Sequence, residues 1–540
     1  MTAALDVVAH GPAAEAVAQH VPRLASEGFA SKLFARDATL WGPDAEDEAS
    51  KRLAWVDLPR SSRPLVGEIA AIRSELREAG LDRVVLCGMG GSSLAPEVIC
   101  GTAELDLTVL DSSDPEQVQA AIRHRLERTV VVVSSKSGST VETDSQRRAF
   151  VAAFEAAGID PTKRIVVVTD PGSPLDESSR AAGYRVVNAD PDVGGRYSAL
   201  TAFGLVPSGL AGVDVERLLD EAEVVSDLLS ADDEANPGLR LGAAIAGTDP
   251  LRDKLVLVDS GSGLRGFAGW AEQLIAESTG KQGTGILPVV VDDVEAPDVT
   301  SGWDDVTVAR LAGGDDLDDL ATDESQVVVG GSLGAQLLLW EVATAVAGRL
   351  LGINPFDQPD VESAKQAARK LLDSPPDESE PRFVEGPVSV QAVGDDTWLG
   401  DALTVKDAVS ALLTQVDPAR GYLAVMAYLD RWAHQDLESV RDRLARTVGR
   451  PVTFGWGPRF LHSTGQLHKG GPPVGAFLQI TASYNEDLPI PGTELGFGTL
   501  IAAQAAGDAT VLAEHGRPVL RLHLDDVVGG VQAVRDVLGR

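Results

Sequence analysis

Short apolar runs alternate with helical segments through residues 81–190 of this chain. Runs rich in valine, leucine and isoleucine occur at residues 84–87, 107–110, 129–133, 165–168 and 184–187. Continuous apolar runs of this length are typical of strands that are buried on both faces of a parallel sheet. The alternation therefore predicts a doubly wound α/β domain, and such domains bind ligands at the carboxyl ends of their strands.

A second series of strands and helices begins near Arg196. Its predicted strands are residues 254–258, 287–291 and 326–329, followed by a long helix at 333–351 and by four further strands at 422–429, 452–456, 476–481 and 519–524. We predict an α/β protein with two doubly wound parallel-sheet domains. The predicted parts are a helical N-terminal region (1–80), a first α/β domain (81–190), a second α/β domain (191–375), an acidic, proline-rich connection (376–400) and a C-terminal α/β segment that completes the second domain (401–540).

The charge of the chain limits its partners. A formal net charge of −35 excludes nucleic acid and anionic membrane surfaces as binding partners. The two cysteines, Cys87 and Cys100, fit a reducing compartment, and the N-terminus has no basic region followed by an apolar core. The apolar stretch at residues 337–351 contains Glu341 and Arg349, which favours a core helix over a membrane span. We therefore expect a cytoplasmic protein.

The first predicted strand runs into a glycine-rich turn. Residues 88–91 are Gly-Met-Gly-Gly, and Ser92 and Ser93 follow. Glycines let the backbone turn tightly and approach a ligand closely, and the free N–H groups of the following helix favour an anion. This pattern predicts a phosphate site, although glycine-rich turns of this kind also occur for packing alone.

A second turn of the same kind follows residues 129–133. Five hydroxyl side chains occur within the seven residues 134–140. The alternative is a serine-rich turn with a capping box between Ser139 and Glu142. Because two such turns in one sheet favour a sugar-phosphate pocket, we predict that the phosphate is bound by Gly91, Ser92, Ser135, Lys136, Ser137 and Thr140.

Five segments of the chain carry a resemblance to a known family. They are Gly-Met-Gly-Gly-Ser at 88–92, Ser-Lys-Ser-Gly-Ser-Thr-Val-Glu-Thr at 135–143, Gly-Gly-Arg-Tyr-Ser at 194–198, Ala-Glu-Ser-Thr-Gly-Lys at 276–281 and Gly-Ile-Asn-Pro-Phe-Asp-Gln-Pro-Asp-Val-Glu-Ser-Ala-Lys at 352–365. In this order they resemble the motifs of the phosphoglucose isomerases, which are built from two sugar-isomerase (SIS) domains. The resemblance implies a cytoplasmic homodimeric enzyme that interconverts glucose 6-phosphate and fructose 6-phosphate without a cofactor.

One departure from the family concerns its catalytic histidine. The family has this histidine between the glutamate and lysine motifs, whereas no histidine lies between Glu277 and Lys365 here. The most similar segment is Leu-His-Ser-Thr-Gly-Gln-Leu-His-Lys-Gly at residues 461–470, which makes His462 the first candidate and His468 the second. In the family this histidine comes from the partner subunit. The sequence leaves open whether His462 enters the pocket of its own chain.

The resemblance also implies a role for each candidate. Glu277 is the base that moves a proton between C1 and C2 through a cis-enediol, and Arg196 stabilises the developing negative charge. An imidazole titrates near neutral pH, so His462 suits ring opening, with Lys365 assisting at the ring oxygen. An ordinary alternative for Arg196 is a structural salt bridge. We also predict substrate contacts from Gly90, Gly195 and Gln273, and we predict no metal site.

Two other functions remain open at this point. The same hydroxyl-rich turns suit a non-catalytic regulator that binds a sugar phosphate, and the same enzyme could also accept mannose 6-phosphate. A regulator has no use for Glu277, Arg196 and Lys365 in this context, which favours an enzyme.

Overall fold

The computed structural model describes residues 5–313, 322–360 and 380–539, and three β-sheets form its framework. The strands are β1 (Asp6–His10), β2 (Arg83–Gly88), β3 (Thr108–Leu110), β4 (Thr129–Ser134), β5 (Ile165–Thr169), β6 (Arg185–Asn188), β7 (Lys254–Ser260), β8 (Leu287–Val291), β9 (Val306–Ala312), β10 (Gln326–Gly330), β11 (Phe383–Glu385), β12 (Val388–Val393), β13 (Tyr422–Ala427), β14 (Val452–Trp456), β15 (Gly475–Ala482) and β16 (Val519–Leu524).

Helices cover the sheets and connect their strands. They are α1 (Gly11–Ser26), α2 (Phe29–Phe34), α3 (Pro43–Ala49), α4 (Leu58–Ser61), α5 (Arg63–Glu78), α6 (Leu94–Thr102), α7 (Pro115–Arg123), α8 (Val141–Ala156), α9 (Pro174–Ala181), α10 (Ala202–Ala211), α11 (Val215–Leu229), α12 (Pro237–Ala246), α13 (Phe267–Thr279), α14 (Pro297–Thr300), α15 (Leu333–Leu351), α16 (Val405–Leu413), α17 (Val440–Val448), α18 (Gly465–Gly470), α19 (Phe497–Glu514) and α20 (Val527–Leu538).

The first sheet has the order β3-β2-β4-β5-β6, and all of its pairs are parallel. Strands β2, β4 and β5 are buried along their whole length, and so are the last two residues of β3. Their interior residues are mainly valine and leucine, as expected for a sheet covered on both faces. Gly88 at the end of β2 lies opposite Ser134 at the end of β4. The two predicted ligand turns therefore leave adjacent strands at the same edge of the sheet.

The second sheet has the order β1-β10-β9-β7-β8. Strand β1 pairs antiparallel with β10, and the other pairs are parallel. Helix α15 lies in the core beside α12, where added Cβ atoms on Gly238 and Gly242 would meet Val342 and Val346 at 2.5 Å. These two glycines allow the helices to pack in close contact.

The third sheet has the order β11-β12-β16-β15-β13-β14. Strands β13 to β16 pair in parallel, whereas β11 and β12 are antiparallel additions at one edge. One face has its own apolar core with Leu423, Val425 and Leu478. The other face presents Tyr422 and Phe477 to a core that it shares with the second sheet.

The predicted α/β fold with parallel-sheet domains is confirmed, and so is the predicted helix at residues 333–351. The region 1–80 is not entirely helical, because β1 joins the second sheet. The part of the connection 376–400 that the structure describes contains β11 and β12, and the C-terminal strands build a sheet of their own. The division of the chain into domains stays a prediction.

The helices give no indication of a membrane span. Across residues 5–313, 322–360 and 380–539, none is both long enough and apolar enough to cross a bilayer.

Candidate active site

Three backbone segments meet at one side of the first sheet. A 3-10 turn, Gly90–Ser92, follows β2, and it lies against a second 3-10 turn, Gly195–Tyr197. An added Cβ on Gly91 would lie 2.0 Å from the carbonyl oxygen of Gly195, so the two backbones touch. Gly90 has a φ of +56°, and a Cβ there would lie 2.7 Å from the carbonyl oxygen of His462. Glycine is required at both positions by these close approaches.

Glu277 lies in the last turns of α13, and its side chain is only 8% exposed. Its Oε2 accepts a hydrogen bond of 3.0 Å from Nε2 of Gln273, one helical turn earlier. Its Oε1 lies 3.4 Å from a terminal nitrogen of Arg196. The carboxylate is thus held in one orientation by a donor on each oxygen.

The guanidinium of Arg196 is fixed on all sides. Its Nε donates to Ser278 Oγ at 2.8 Å, and one terminal nitrogen donates to Gln358 Oε1 at 2.8 Å. The other terminal nitrogen donates to the carbonyl oxygens of Pro355 and Asp357. The salt bridge considered as an alternative does form, and its partner is the predicted base Glu277.

His462 ends the 3-10 turn Arg459–His462, and its side chain is 14% exposed. Its carbonyl oxygen accepts a hydrogen bond of 2.7 Å from Gln273 Nε2, the same atom that bonds Glu277. Its ring nitrogen Nε2 lies 2.9 Å from Glu142 Oε1, which also accepts a 2.6 Å bond from Gln504. The structure therefore places His462 beside Gln273 of its own chain.

Glu142 does not take part in the capping box that the local spacing suggested. Helix α8 begins at Val141, and no side chain caps its N-terminus. Instead the Glu142 carboxylate, 5% exposed, binds the imidazole of His462. Glu142 belongs to the motif at residues 135–143, but the local spacing gives no sign of its contact with His462.

His468, the second histidine candidate, is a core residue. Its Nδ1 lies 2.9 Å from the hydroxyl of Tyr422, and its ring packs against Tyr422 and Phe477. Burial lowers the pKa of His468 to about 3, so the ring is neutral at physiological pH. These contacts favour His462 as the histidine of the site.

The hydroxyl-rich turn after β4 forms a compact cluster. Ser135 Oγ lies 3.2 Å from Thr140 Oγ1 and accepts a hydrogen bond from the backbone N–H of Gly138. The Ser137 and Ser139 hydroxyls lie 2.7 Å apart and are exposed. Ser92, on the neighbouring turn, is partly exposed. The cluster has the donors that a phosphate group needs, beside the start of α8.

Lys136 has other partners in this structure. Its Nζ lies 2.7 Å from Asp170 Oδ2 and donates to the carbonyl oxygen of Pro191. Phosphate binding by Lys136 stays a prediction.

Lys365 lies outside the described residues, but the chain before it reaches the site. Lys281, which the sequence analysis did not select, is 1% exposed and donates to the carbonyl oxygens of Asn354 and Asp357 and to the Asp357 carboxylate. Burial, with help from the neighbouring charge of Arg196, lowers the pKa of Lys281 to about 8. Its place in the motif at residues 276–281 is the signal that could have identified it.

Among the described residues, no group of three or more His, Cys, Asp or Glu side chains is arranged to hold a metal ion.

Known proteins resemble this chain over the region that contains Glu277. The family model for phosphoglucose isomerase matches residues 75–284, which include Arg196, Gln273 and Glu277 but not His462. A probable glucose-6-phosphate isomerase of Haloarcula marismortui is 30% identical over 343 residues, which are 54% of this chain and 79% of the relative. A probable glucose-6-phosphate isomerase of Methanococcus maripaludis is 29% identical over 363 residues, which are 56% of this chain and 82% of the relative.

Two solved structures share the fold. A protein from Thermus thermophilus, described as hypothetical, has a TM-score of 0.57 at 24% identity and covers 68% of this chain and 100% of its own. A glucose-6-phosphate isomerase from Chlamydia trachomatis has a TM-score of 0.50 at 20% identity, over 64% of this chain and 78% of its own. These two structures show the fold alone. The family model and the sequence relatives show that the chain is an isomerase and belongs to the phosphoglucose isomerase family.

Proposed function

We propose that this enzyme interconverts glucose 6-phosphate and fructose 6-phosphate. The observation that carries the proposal is the buried carboxylate of Glu277, held between Gln273 and Arg196 beside two turns rich in glycine and serine. The names of the two relatives support glucose 6-phosphate as a substrate.

The central step is a proton transfer between neighbouring carbons. Glu277 removes the proton from C2 of the open-chain aldose, and the same proton returns to C1 when the enediol collapses to the ketose. The aldose and the ketose are isomers, so no electrons leave the substrate. Glu277 carries the proton from C2 to C1, acting first as base and then as acid, and the hydroxyl proton moves from O2 to O1 between the neighbouring oxygens of the cis-enediol. Arg196, which already faces Glu277 at 3.4 Å, stabilises the negative charge that develops on the substrate oxygens.

Ring opening requires a second proton carrier, and His462 supplies it. Because Glu142 accepts the hydrogen bond of Nε2, the imidazole is oriented and Nδ1 is the nitrogen that can take a proton. His462 takes the proton of the O1 hydroxyl and returns a proton to the ring oxygen as the C1–O5 bond breaks. Gln273 keeps this residue at a fixed position relative to the base, because its amide bonds both.

Of the two other functions, the non-catalytic regulator conflicts with membership of an enzyme family. Mannose 6-phosphate differs from glucose 6-phosphate in the configuration at C2, so its use requires proton transfer at the opposite face of that carbon. It belongs in the assay as a second substrate.

A coupled assay of the purified protein with fructose 6-phosphate tests the proposal, and Glu277→Gln tests the mechanism. Because glutamine keeps the shape but cannot accept the proton, we expect turnover to fall by about 10²–10⁴-fold with binding retained. Exchange of the C2 hydrogen of glucose 6-phosphate with solvent deuterium measures the same step directly.

The matched control is Glu272→Gln on the same helix. Burial raises the pKa of Glu272 to about 8, so this carboxyl is largely protonated at neutral pH and glutamine resembles it closely. We expect near-normal turnover. Wild-type exchange in Glu277→Gln would show that another group is the base, and no turnover in the wild-type protein would refute the proposed reaction.

A further inference from the structure

A cavity apart from the candidate active site lies at the edge of the first sheet. It has a volume of about 500 Å³, in the range of small-molecule sites. Its walls include Arg83 at the start of β2, Leu107 before the edge strand β3, Ala120 on α7 and the pair Arg431 and Trp432 after β13. None of its lining residues belongs to the site described above.

Arg83 is a buried cation without a carboxylate partner among the described residues. Arg83 is 8% exposed. One of its terminal nitrogens donates to the carbonyl oxygens of Ala121 and His124 and to Thr129 Oγ1. The other terminal nitrogen has only a long contact of 3.5 Å with Thr108 Oγ1. A guanidinium has five N–H donors, so donors of Arg83 are left for a ligand in the cavity.

The other charges around the cavity do not neutralise Arg83. Arg431 and Arg459 both bind Glu97 and Asp111, which gives a cluster of two cations and two anions. The positive charge of Arg83 is therefore additional, in a chain whose formal net charge is −35. A bound anion stabilises a buried cation of this kind.

Part of the cavity wall is apolar. Leu107, Val109, Ala120 and Ala121 line it together with Trp432, which is 39% exposed. The polar lining residues are Thr108, His124 and Glu97, and the Glu97 carboxylate is paired with Arg431 and Arg459. An indole offers a flat apolar face to a ring or a short chain.

We propose that this cavity is a second ligand site, which binds a small organic anion. The phosphate or carboxylate group binds the guanidinium of Arg83, and the apolar body of the ligand lies against Leu107 and Trp432. The site is separate from the proposed isomerase reaction, and its test does not depend on isomerase activity.

Phenyl phosphate is the probe, because it combines an anionic group with an apolar ring. Titration calorimetry on the full-length protein should detect binding, and tryptophan fluorescence should change in the wild-type protein but not in Trp432→Phe. Phenol, which lacks the charge, should bind at least about tenfold more weakly.

Two variants test whether phenyl phosphate binds in this cavity. Arg83→Met removes the cation, and Ala120→Phe fills the cavity from an exposed helix position without removing any hydrogen bond. Both should raise the Kd for phenyl phosphate by at least about tenfold. The matched control is Arg123→Met, an exposed arginine on the same helix that does not line the cavity.

The control should bind like the wild-type protein. No calorimetric binding to the wild-type protein would overturn the proposal. Wild-type affinity in Ala120→Phe would overturn it as well, because that variant keeps Arg83 and its hydrogen bonds and therefore tests the cavity even if Arg83→Met fails to fold.

Discussion

At the residue scale, the site depends on a few buried groups that hold one another in position. Gln273 joins Glu277, the proposed base, to the histidine segment, since one amide nitrogen donates to Glu277 and to the carbonyl oxygen of His462. Lys281 has a similar role on the other side, because it holds the segment that also binds Arg196. Buried polar networks of this kind fix geometry when every member has a partner.

The lowered pKa of Lys281 predicts a loss of activity at alkaline pH. Below about pH 8 its ammonium is charged and pairs with the Asp357 carboxylate. As the pH rises through about 8, the charge is lost, the segment that binds Arg196 is held less firmly, and kcat/KM should fall. A pH profile measures this limb. In Lys281→Met it should be absent, with a lower rate at neutral pH, whereas the exposed control Lys163→Met should keep it. The same limb in Lys281→Met would assign the titration to another group.

At the element scale, the candidate site lies where turns from separate strands and helices touch. The turns Gly90–Ser92 and Gly195–Tyr197 approach so closely that no side chain fits between Gly91 and the carbonyl of Gly195. This contact joins the first sheet to the segment that carries Arg196.

Two variants test whether the close contact at Gly91, and not merely the presence of a glycine in these turns, is needed for stability. Gly91→Ala places a Cβ 2.0 Å from a backbone oxygen, so the turns must move apart, and we expect a loss of about 1–3 kcal/mol in the free energy of unfolding. A Cβ on Gly195 meets no atom within 4 Å, so Gly195→Ala should unfold like the wild-type protein. Denaturant titration measures both. Equal stability of the two variants would contradict the close approach.

The hydroxyl-rich turn makes a separate prediction about substrate binding. Removing Ser135 Oγ and Thr140 Oγ1 together should raise KM strongly, because each hydrogen bond to a charged phosphate is worth about 1.5–3 kcal/mol. Since the phosphate is remote from the reacting carbons, kcat should change little. Steady-state kinetics of Ser135→Ala/Thr140→Ala measures this, with Ser178→Ala, on the exposed face of α9, as control. An unchanged KM would exclude this turn as the phosphate site.

At the scale of the whole molecule, the third sheet presents a segment to the first. The 3-10 turn that follows β14 carries both Arg459 and His462, and these contact Glu97, Asp111 and Glu142. The chain has no histidine between the glutamate and lysine motifs. His462, from a distant part of the same chain, lies beside Gln273 instead.

This arrangement predicts the result of mixing two inactive variants. If His462 serves its own chain, Glu277→Gln and His462→Ala chains in one dimer have no intact site, and activity should not return. A site shared across subunits would instead restore up to about half the activity per heterodimer by two-fold counting. Native mass spectrometry confirms that mixed dimers form, and mixtures of wild-type and Glu277→Gln chains provide the control. Restored activity would place His462 in the partner's site. The homodimer itself stays a prediction.

The local sequence determined most of the regular structure. The strands at residues 287–291, 452–456 and 519–524 and the helix at 333–351 have the predicted bounds, because mostly apolar segments of strand or helix length indicate buried elements. Strands β1, β9, β11 and β12 were not predicted. Strand β1 pairs with β10, β9 with β7 and β10, and β12 with β16, and the local sequence does not specify these partners.

The candidate site divides in the same way. The motifs identified Glu277 and Arg196 because each stands in a short conspicuous pattern. Gln273, predicted as a substrate contact outside those motifs, donates to Glu277, which also pairs with Arg196. Only the tertiary structure decided between His462 and His468, since both lie in one segment and differ in burial. The same holds for Glu142. Its spacing from Ser139 matched a helix cap, whereas its actual partner is 320 residues away, a contact that no local pattern encodes.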